Sequence, residues 1–361
     1  MRIAQIAPLH EGCPPRYYGG TERVVSYLTE ELVELGHDVT LFASGDSRTS
    51  AQLVPICPRA LRLDSAVMDP LIYHLVMFNR VAVRAAEFDI LHFHTDYLHF
   101  PIFAGLGLPT VTTLHGRLDL PDLPVAYAEF PEMPLVSISD NQRLPLPWAN
   151  WRATVRHGLP RNLYRLGSGG GGYLAFIGRI SPEKRLDRAI EIAGRAGMPL
   201  KIAAKIDRVD RDYFEAVIQP LLAAPTIEYL GEISDAEKGT FLGEAAALLF
   251  PIDWPEPFGL AMIEAMANGT PTIAFRCGAV PEVIDDGVTG FIVDDVEAAI
   301  AAVDPAVARS RAAIRWRFEQ RFTAERMARD YLAVYEGLVD SAVVASSGPN
   351  GMEPERIVSA L

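Results

Sequence analysis

RIAQIAPLHEGCPPRYYGGTERVVSYLTEELVELGHDVTLFAS, residues 2–44, is the stretch that decides the fold class of this chain. It begins with Arg2 to Pro8, which predict a short buried strand, and a glycine-containing loop follows. Gly36 ends the next segment, in which apolar residues recur at helical spacing: Val24, Val25, Leu28, Leu32 and Leu35. Residues 37–44 then predict a second strand. A strand, a helix and a strand in this order are typical of a parallel sheet covered by helices.

The composition is that of a folded protein with more than one domain. The chain has 361 residues, 49% of them hydrophobic and 22% charged, and about 150 residues per domain predicts two domains and a cleft. Its net charge of -13 disfavours nucleic acid as the main partner, because a phosphate backbone would be repelled. No apolar run reaches the roughly 18 residues of a membrane span, and Met1–Pro8 lacks signal-peptide features. We therefore expect a cytoplasmic protein without a transmembrane segment.

A glycine-rich break divides the chain into two similar halves. The segment LGSGGGG, Leu166–Gly172, is poor in apolar residues, and the alternation of strands and helices restarts directly after it. This pattern predicts two Rossmann-like domains of the α/β class, and the region from Ala306 to Val339 is expected to be helical. The predicted units are an N-terminal domain, a linker, a C-terminal domain, a C-terminal helix that packs back on the first domain, and a flexible tail: residues 1–166, 167–172, 173–320, 321–340 and 341–361.

Two glutamates stand out in the apolar stretch EPFGLAMIEAMANG, residues 256–269. If a helix begins at Pro257 or Phe258, Glu256 lies just before it and Glu264 two turns into it, about 80° apart around the axis. A carboxylate at Glu264, among apolar neighbours, needs hydrogen-bond donors, and the paired hydroxyls of a ribose or a sugar would serve. The first N–H groups of such a helix form an anion site, offered here by Phe258, Gly259 and Leu260.

At these residues the sequence resembles the retaining glycosyltransferases of family 4, which have the two-domain GT-B fold. The family's E-x7-E motif is matched by Glu256 and Glu264, and GAVPEVIDDGVTGFIVD, residues 278–294, resembles its continuation. The resemblance extends from the YYGGTERVV opening to about Glu336. It implies two Rossmann-like domains whose parallel sheets face each other across a cleft, with the donor on the C-terminal domain and the acceptor on the N-terminal one.

The resemblance also assigns roles in donor binding. Glu264 would bind the ribose of the donor nucleotide and Glu256 the hydroxyls of its sugar, with N–H groups of Phe258, Gly259 and Leu260 nearby. In IGRISPEK, Arg179 and Lys184 match the family's cationic pair, which grips the diphosphate and offsets its growing charge as the glycosidic bond breaks. The family often has glycine after this lysine, whereas this chain has Arg185.

Further matches lie in the first domain. Gly19, Gly20 and Glu22 belong to the Gly-rich loop between the first strand and the first helix, where glycine permits close approach to phosphate. His115 matches a histidine that lies beside the transferred sugar in the family. The family often has Asp where Gly116 stands and Asn where His157 stands, so roles tied to these two positions do not carry over.

The tract HFHTDYLHF, residues 92–100, supports two hypotheses. His92, His94, His99 and Asp96 suggest a metal site, because alternate residues of a strand share one face. The resemblance instead favours an acceptor-side role for His94, Asp96 and Tyr97, together with Glu22, since GT-B enzymes hold the diphosphate without a bound metal. We therefore predict no metal and no cofactor besides the nucleotide-sugar co-substrate.

The predicted function is transfer of a sugar, with retention of its anomeric configuration, from a nucleotide-diphospho-sugar to an acceptor hydroxyl. The acidic first helix, with Glu22, Glu30, Glu31 and Glu34, favours a soluble acceptor. Two alternatives fit the same scaffold, because fold does not fix function. One is a sugar-nucleotide epimerase, and the other is a non-catalytic sugar-nucleotide-binding protein.

Overall fold

A computed structural model describes residues 1–16 and 19–346 of the chain. Within this part every strand pairing of the two sheets is parallel, as the sequence pattern predicts. The first sheet has the order β3-β2-β1-β4-β5-β6-β7 and the second the order β10-β9-β8-β11-β12-β13. The strands in chain order are β1 Arg2–Ile6, β2 Asp38–Ala43, β3 Gln52–Pro55, β4 Ile90–Phe93, β5 Thr110–Thr113, β6 Leu135–Ser137, β7 Trp151–Thr154, β8 Leu174–Arg179, β9 Leu200–Lys205, β10 Ile227–Gly231, β11 Ala247–Phe250, β12 Thr272–Phe275 and β13 Gly290–Val293.

Helices connect the strands and cover the sheets, as a parallel sheet requires. The helices in chain order are α1 Gly20–Glu34, α2 Pro70–Arg84, α3 Phe100–Phe103, α4 Leu123–Glu129, α5 Leu186–Arg195, α6 Arg211–Tyr213, α7 Gln219–Leu221, α8 Asp235–Glu244, α9 Leu260–Ala267, α10 Val280–Val283, α11 Val296–Ala301, α12 Val303–Val307, α13 Arg311–Arg321 and α14 Ala324–Ser346. Between α6 and α7 the segment Phe214–Ile218 is a turn of π-helix.

The strand order in each sheet reverses at one point, and these two points locate the cleft. In the first sheet β1 lies between β2 and β4, and in the second sheet β8 lies between β9 and β11. Connections leave such a switch point in opposite directions, which opens a crevice at the carboxyl ends of the strands. In this chain the carboxyl ends of both sheets border one cleft, so each domain contributes half of its wall.

The C-terminal helical region is divided into separate helices. Two helices, α13 and α14, are separated by Phe322 and Thr323, because the chain forms a β-bridge there with Leu159. The Leu159 N–H donates to the Phe322 carbonyl at 2.9 Å, and the Ala324 N–H donates to the Leu159 carbonyl at 2.8 Å. The bridge ties the end of the first domain to the start of α14.

Helix α14 packs on the first domain. Its residues Tyr331 and Tyr335 are fully buried, and they belong to an apolar core that contains Ile3 and Leu28 of the first domain together with Phe258 of the second. The core is therefore continuous between the two sheets. Residues 341–346, which were predicted as the beginning of a flexible tail, extend α14, and the remainder of that tail lies outside the described residues.

Gly158 sets how closely the returning chain approaches the first domain. A Cβ atom at this position would lie 2.2 Å from the carbonyl oxygen of Thr323. We expect Gly158→Ala to lower the free energy of unfolding by about 2 kcal/mol, since backbone atoms on both sides must move apart. Urea denaturation measures this change. Gly194→Ala is the matched control, because a Cβ at this position, in the last turn of α5, meets no atom within 4 Å. Equal stability of the two variants would contradict the proposed constraint.

Candidate active site

A cleft of about 580 Å³ lies between the two sheets and collects nearly all the residues that the sequence singles out. Both domains contribute to it, the first through loops after its strands and the second through α9 and the loops around it. The predicted residues that line this cleft are Gly19, Gly20, Glu22, His94, Asp96, His115, Arg179, Lys184, Glu256, Phe258, Gly259, Leu260 and Glu264. Tyr97 is the exception, since its ring packs against Tyr127 with 6.3 Å between centroids.

The helix that carries Glu264 begins later than predicted. Helix α9 starts at Leu260 instead of Pro257 or Phe258, because Gly259 has a φ of 86° and interrupts the helical backbone. A Cβ at Gly259 would lie 2.6 Å from the Met262 side chain, so the position also lacks room for one. Glu256 therefore lies in a loop before the helix, and the first free N–H groups belong to α9 from Leu260 onward.

Glu264 is buried and has a charged partner that the sequence argument did not find. Its carboxylate oxygen Oε1 accepts a hydrogen bond from Lys238 Nζ on α8 at 2.7 Å. Glu264 is 4% exposed and Lys238 8% exposed, so this ion pair is almost fully removed from water. Burial lowers the pKa of Lys238, although the neighbouring Glu264 raises it in part. The predicted need of Glu264 for hydrogen-bond donors is thus met on one oxygen by the protein itself.

The same cluster of charges connects the two domains. Arg23 on α1 forms an ion pair with Asp235 on α8, and Asp235 Oδ1 lies 3.3 Å from Lys238 Nζ. The hydroxyl group of Tyr164, close to Glu264, is buried without a hydrogen-bond partner among the described residues. The region around Glu264 therefore combines paired charges with an unused hydroxyl group.

Glu256 is paired with the predicted diphosphate-binding lysine. Its oxygen Oε2 accepts a hydrogen bond from Lys184 Nζ and a second one from Trp254 Nε1, the latter at 3.1 Å. The Lys184 ammonium also lies over the Trp254 ring, 4.9 Å from its centroid, where the face of the ring attracts a cation. Gly278 lies against the backbone of Glu256, where a Cβ would be 2.3 Å from its nitrogen. These contacts fix Glu256 although it lies in a loop.

Arg179, the other predicted cation, lies at the end of β8 among three acidic side chains. It donates to Glu183 Oε1 at 2.5 Å and lies 3.7 Å from Asp207 and 3.5 Å from Asp210. Arg185, which replaces the family's usual glycine, has a φ of 52° and binds Asp187 and Asp253 instead of lining the cleft. Arg185 therefore does not join Arg179 and Lys184 in lining the cleft.

The glycine-rich loop brings the first domain close to α9. A Cβ at Gly20 would contact the Leu260 side chain at 3.5 Å, which shows how near α1 and α9 are to each other. Glu22 in the first turn of α1 is 5% exposed, and its carboxylate accepts a hydrogen bond from the Glu11 N–H at 3.2 Å. Burial raises the pKa of Glu22, with backbone hydrogen bonds and Arg62 opposing that effect.

Histidines form the first-domain wall opposite the donor-side charges. His115 Nε2 lies 2.9 Å from His94 Nδ1, and the rings of His115 and His157 stack with 5.3 Å between centroids. Burial lowers the pKa of His94 and His157 well below the usual range and that of His115 to about 3. All three rings are therefore neutral at pH 7. His157 lines the cleft although the family resemblance gave it no role.

Asp96 has an unusual backbone and an altered acidity. Its φ of 50° is rare for a residue with a side chain, and such conformations are concentrated at functional sites. The residue is exposed at the mouth of the cleft, yet the protein atoms crowded around its carboxyl group raise its pKa to about 6 by desolvation.

The histidine tract does not assemble as the metal hypothesis requires. His92 hydrogen bonds to Tyr335 and Thr113, whereas His99 bonds to Thr112 and stacks on Phe93 with 3.8 Å between centroids. In residues 1–16 and 19–346 no group of three or more His, Cys, Asp and Glu side chains has the geometry of a metal site. Over the same ranges no helix is long and apolar enough to cross a membrane.

The Lys238–Glu264 pair permits a test of the buried charges. We expect Lys238→Met to lower the free energy of unfolding by about 3 kcal/mol, because Glu264 would remain buried without its partner. Replacing both residues by methionine should restore most of that loss. Arg195→Met is the control, since Arg195 pairs with Glu297 on the exposed surface and such pairs contribute less than about 1 kcal/mol. A loss in Lys238→Met no larger than in the control would refute this account.

Asp96 predicts a specific pH dependence of stability. Its pKa is raised from 3.8 to about 6, so between these values the folded state binds more protons than the unfolded state. Stability therefore decreases as the pH rises through this window. In Asp96→Asn this decrease should be absent, so the variant gains stability relative to wild type from pH 4 to pH 7 in urea titrations. Asp294→Asn, at an exposed acid, is the control. Parallel curves for wild type and Asp96→Asn would contradict the raised pKa.

Comparison with known proteins agrees with this arrangement. Residues 18–159 match the family model described as Glycosyltransferase Family 4, and residues 167–317 match the model described as Glycosyl transferases group 1. The first match ends before the glycine-rich break and the second begins within it, so the two matches lie in different halves of the chain.

Relatives and solved structures extend over nearly the whole chain. Glycogen synthase of Mycobacterium tuberculosis (strain ATCC 25618 / H37Rv) is 26% identical, over 90% of this chain and 93% of its own. Sucrose-phosphate synthase from Thermosynechococcus elongatus has a TM-score of 0.77 at 18% identity, covering 94% of this chain and 100% of that one. Anabaena Alr3699/HepE, solved in complex with UDP and glucose, has a TM-score of 0.70 at 16% identity, covering 93% and 99%. The chain has the GT-B fold and belongs to the group 1, family 4 glycosyltransferases.

Proposed function

We propose that this glycosyltransferase moves a sugar from a nucleotide-diphospho-sugar to an acceptor hydroxyl with retention of the anomeric configuration. The proposal rests on two ion pairs of the C-terminal domain in the cleft, Lys184 with Glu256 and Lys238 with Glu264. We call this side of the cleft the donor-side wall. A sugar nucleotide presents ribose hydroxyls, a diphosphate and sugar hydroxyls in that order. The wall presents a matching order of a carboxylate, cations and a second carboxylate.

In this proposal the ribose binds at Glu264. Lys238 occupies Oε1, and Oε2 has no hydrogen-bond partner within the described part of the chain. An ionised carboxylate accepts several hydrogen bonds, so Oε2 can take a ribose hydroxyl while Lys238 keeps the group charged. Lys238 then stays paired with Glu264 when the ribose binds and balances the charge of the carboxylate.

The diphosphate binds at Lys184 and Arg179. Lys184 exchanges Glu256 for a phosphate oxygen, which releases Glu256 Oε2 to accept from hydroxyls of the donor sugar. Arg179 and the first N–H groups of α9 add positive potential where charge develops as the glycosidic bond breaks. Because side chains and a helix end supply this potential, we expect transfer to continue when EDTA is present.

The acceptor binds to the first domain, beside His94, His115 and Asp96. Its hydroxyl attacks the anomeric carbon from the face that the diphosphate leaves, and a phosphate oxygen of the leaving group takes the proton. A dedicated nucleophile is not part of this proposal. The paired carboxylates hold the donor, in contrast to a glycosidase, where such a pair provides an acid and a nucleophile. Because the exposed face of α1 is acidic, we propose a soluble acceptor.

Donor binding can be tested without knowing the acceptor. UDP-glucose, ADP-glucose and GDP-mannose are titrated separately in thermal unfolding, where a bound ligand raises the apparent melting temperature. We expect at least one of these sugar nucleotides to raise the melting temperature. Glu264→Gln should weaken the binding of that sugar nucleotide about tenfold or more, since a hydrogen bond to a charged group is lost. Glu297→Gln, at an exposed helix position, is the control. If none of the three raises the melting temperature, the donor assignment fails.

Hydrolysis of the same sugar nucleotide tests the stereochemical outcome and distinguishes a transferase from the two alternative functions. Slow hydrolysis uses water as the acceptor, and proton NMR should show the released sugar first in the anomeric configuration of the donor. An epimerase would instead give a new sugar nucleotide in which the bond between the sugar and the diphosphate is intact. A binding protein would give a thermal shift without any product.

A further inference from the structure

A line of buried hydrogen bonds runs from the C-terminal helix to the cleft. Gln5 at the middle of β1 donates from Nε2 to the Tyr335 hydroxyl of α14 at 3.1 Å. Its oxygen Oε1 lies 2.8 Å from His94 Nε2, and His94 Nδ1 lies 2.9 Å from His115 Nε2. Gln5 and Tyr335 are fully buried, whereas His115 lines the cleft. The line therefore joins a helix outside the cleft to a histidine within it.

The orientation of the Gln5 amide fixes the protons along this line. An amide oxygen only accepts, so His94 Nε2 carries the proton that is shared with Gln5 Oε1. His94 is neutral in its buried surroundings, which leaves its Nδ1 as a bare acceptor. The proton between the two rings then belongs to His115 Nε2. A neutral His115 with Nε2 protonated has a bare Nδ1.

A second arrangement, in which the oxygen and nitrogen of the Gln5 amide exchange places, also satisfies the hydrogen bonds of Gln5 and His94. It leaves an unpaired N–H group at His115, however. His115 Nδ1 would then carry a proton, and this atom is buried without a partner among the described residues. An orphaned N–H is rarer and costlier than an unused acceptor. The other branch of the network, from Tyr335 through His92 to Thr113 and Tyr331, ends in hydroxyl groups that rotate to suit either arrangement. The His115 end thus decides between the two.

We infer that Gln5, held by Tyr335, is a positioning residue that fixes His115 in the tautomer with a bare Nδ1. In this tautomer His115, which lines the cleft, has a buried and bare Nδ1. A group that reaches Nδ1 as the ring adjusts on binding must be a hydrogen-bond donor, and a hydroxyl of the donor sugar is the chemical class that fits. This consequence for sugar recognition rests on the proposed function, whereas the tautomer itself does not.

The tautomer can be read by nitrogen-15 NMR of the eight histidine rings, because protonated and bare ring nitrogens differ widely in chemical shift. The His115 signals are assigned by their loss in His115→Gln. In the wild type we expect His115 protonated at Nε2 and bare at Nδ1. A proton on Nδ1 would overturn the inference, whatever the enzymatic activity of the protein.

Variants of the line test the role of Gln5. Gln5→Leu removes the acceptor that orients His94, so the second His115 tautomer should appear. Tyr335→Phe keeps Gln5 but removes the hydroxyl that holds it, and a smaller shift in the same direction is expected. Tyr331→Phe is the matched control, since it removes an equally buried hydroxyl of the same helix that bonds to Thr113 instead of Gln5. Its His115 spectrum should equal that of the wild type.

The consequence for recognition is measured by donor hydrolysis. With Gln5→Leu we expect kcat/KM to fall roughly fivefold, the effect of weakening one neutral hydrogen bond, while Tyr331→Phe stays near the wild type. If the nitrogen-15 signals of His115 in Gln5→Leu are identical to those of the wild type, Gln5 does not position His115. If the spectra change as expected and no sugar nucleotide is bound or hydrolysed, the tautomer assignment stands and the proposed function fails, so the two failures are distinguishable.

Discussion

Charge buried in the cleft has to be paired, and this requirement organises the site before any ligand arrives. Lys238 and Glu264 are almost fully removed from water, where an isolated charge would cost several kcal/mol, on the order of the whole stability of a domain. Arg23 extends the same cluster across the cleft through Asp235. The parallel sheets bring two strand edges together, and the ion pairs allow those edges to stay close although the chain carries a net charge of -13.

In the proposed function, pairing of this kind lets an acidic protein hold an anionic ligand. Lys184 is held by Glu256 and by the Trp254 ring, so its ammonium is oriented before a ligand binds. A diphosphate with two negative charges would offer that ammonium more charge than one carboxylate does. Exchange of partners would then cost little reorganisation, because Trp254 contacts both Lys184 and Glu256, and electrostatic preorganisation of this type is a large part of catalysis.

Hydrophobic periodicity in the sequence predicted the sheets. It did not predict the contacts between residues that are distant in sequence. The alternation of short apolar runs with helices was enough to predict two parallel sheets and a cleft at their carboxyl edges. The predicted start of α9 was wrong because Gly259 adopts a positive φ that interrupts the helix, and no spacing rule shows this. Lys238 was missed because it lies on a predicted amphipathic helix, where a lysine normally faces water, and its partner lies 26 residues further on. Helix α2 was missed because its apolar residues surround the helix, with Leu71 and Ile72 exposed.

The histidine tract shows most directly why a local pattern underdetermines a site. In sequence, His92 and His94 are equivalent, alternate residues of one strand. In the fold, His92 bonds to Tyr335, a residue 243 positions away, while His94 bonds to Gln5 and His115. The C-terminal helix is therefore part of the first domain's wall in a physical sense, because its hydroxyl groups complete a network that ends in the cleft. If Gln5 orients His115 as inferred, a change that moves α14 against β1 alters the tautomer of His115, even though no residue of α14 is among those that line the cleft.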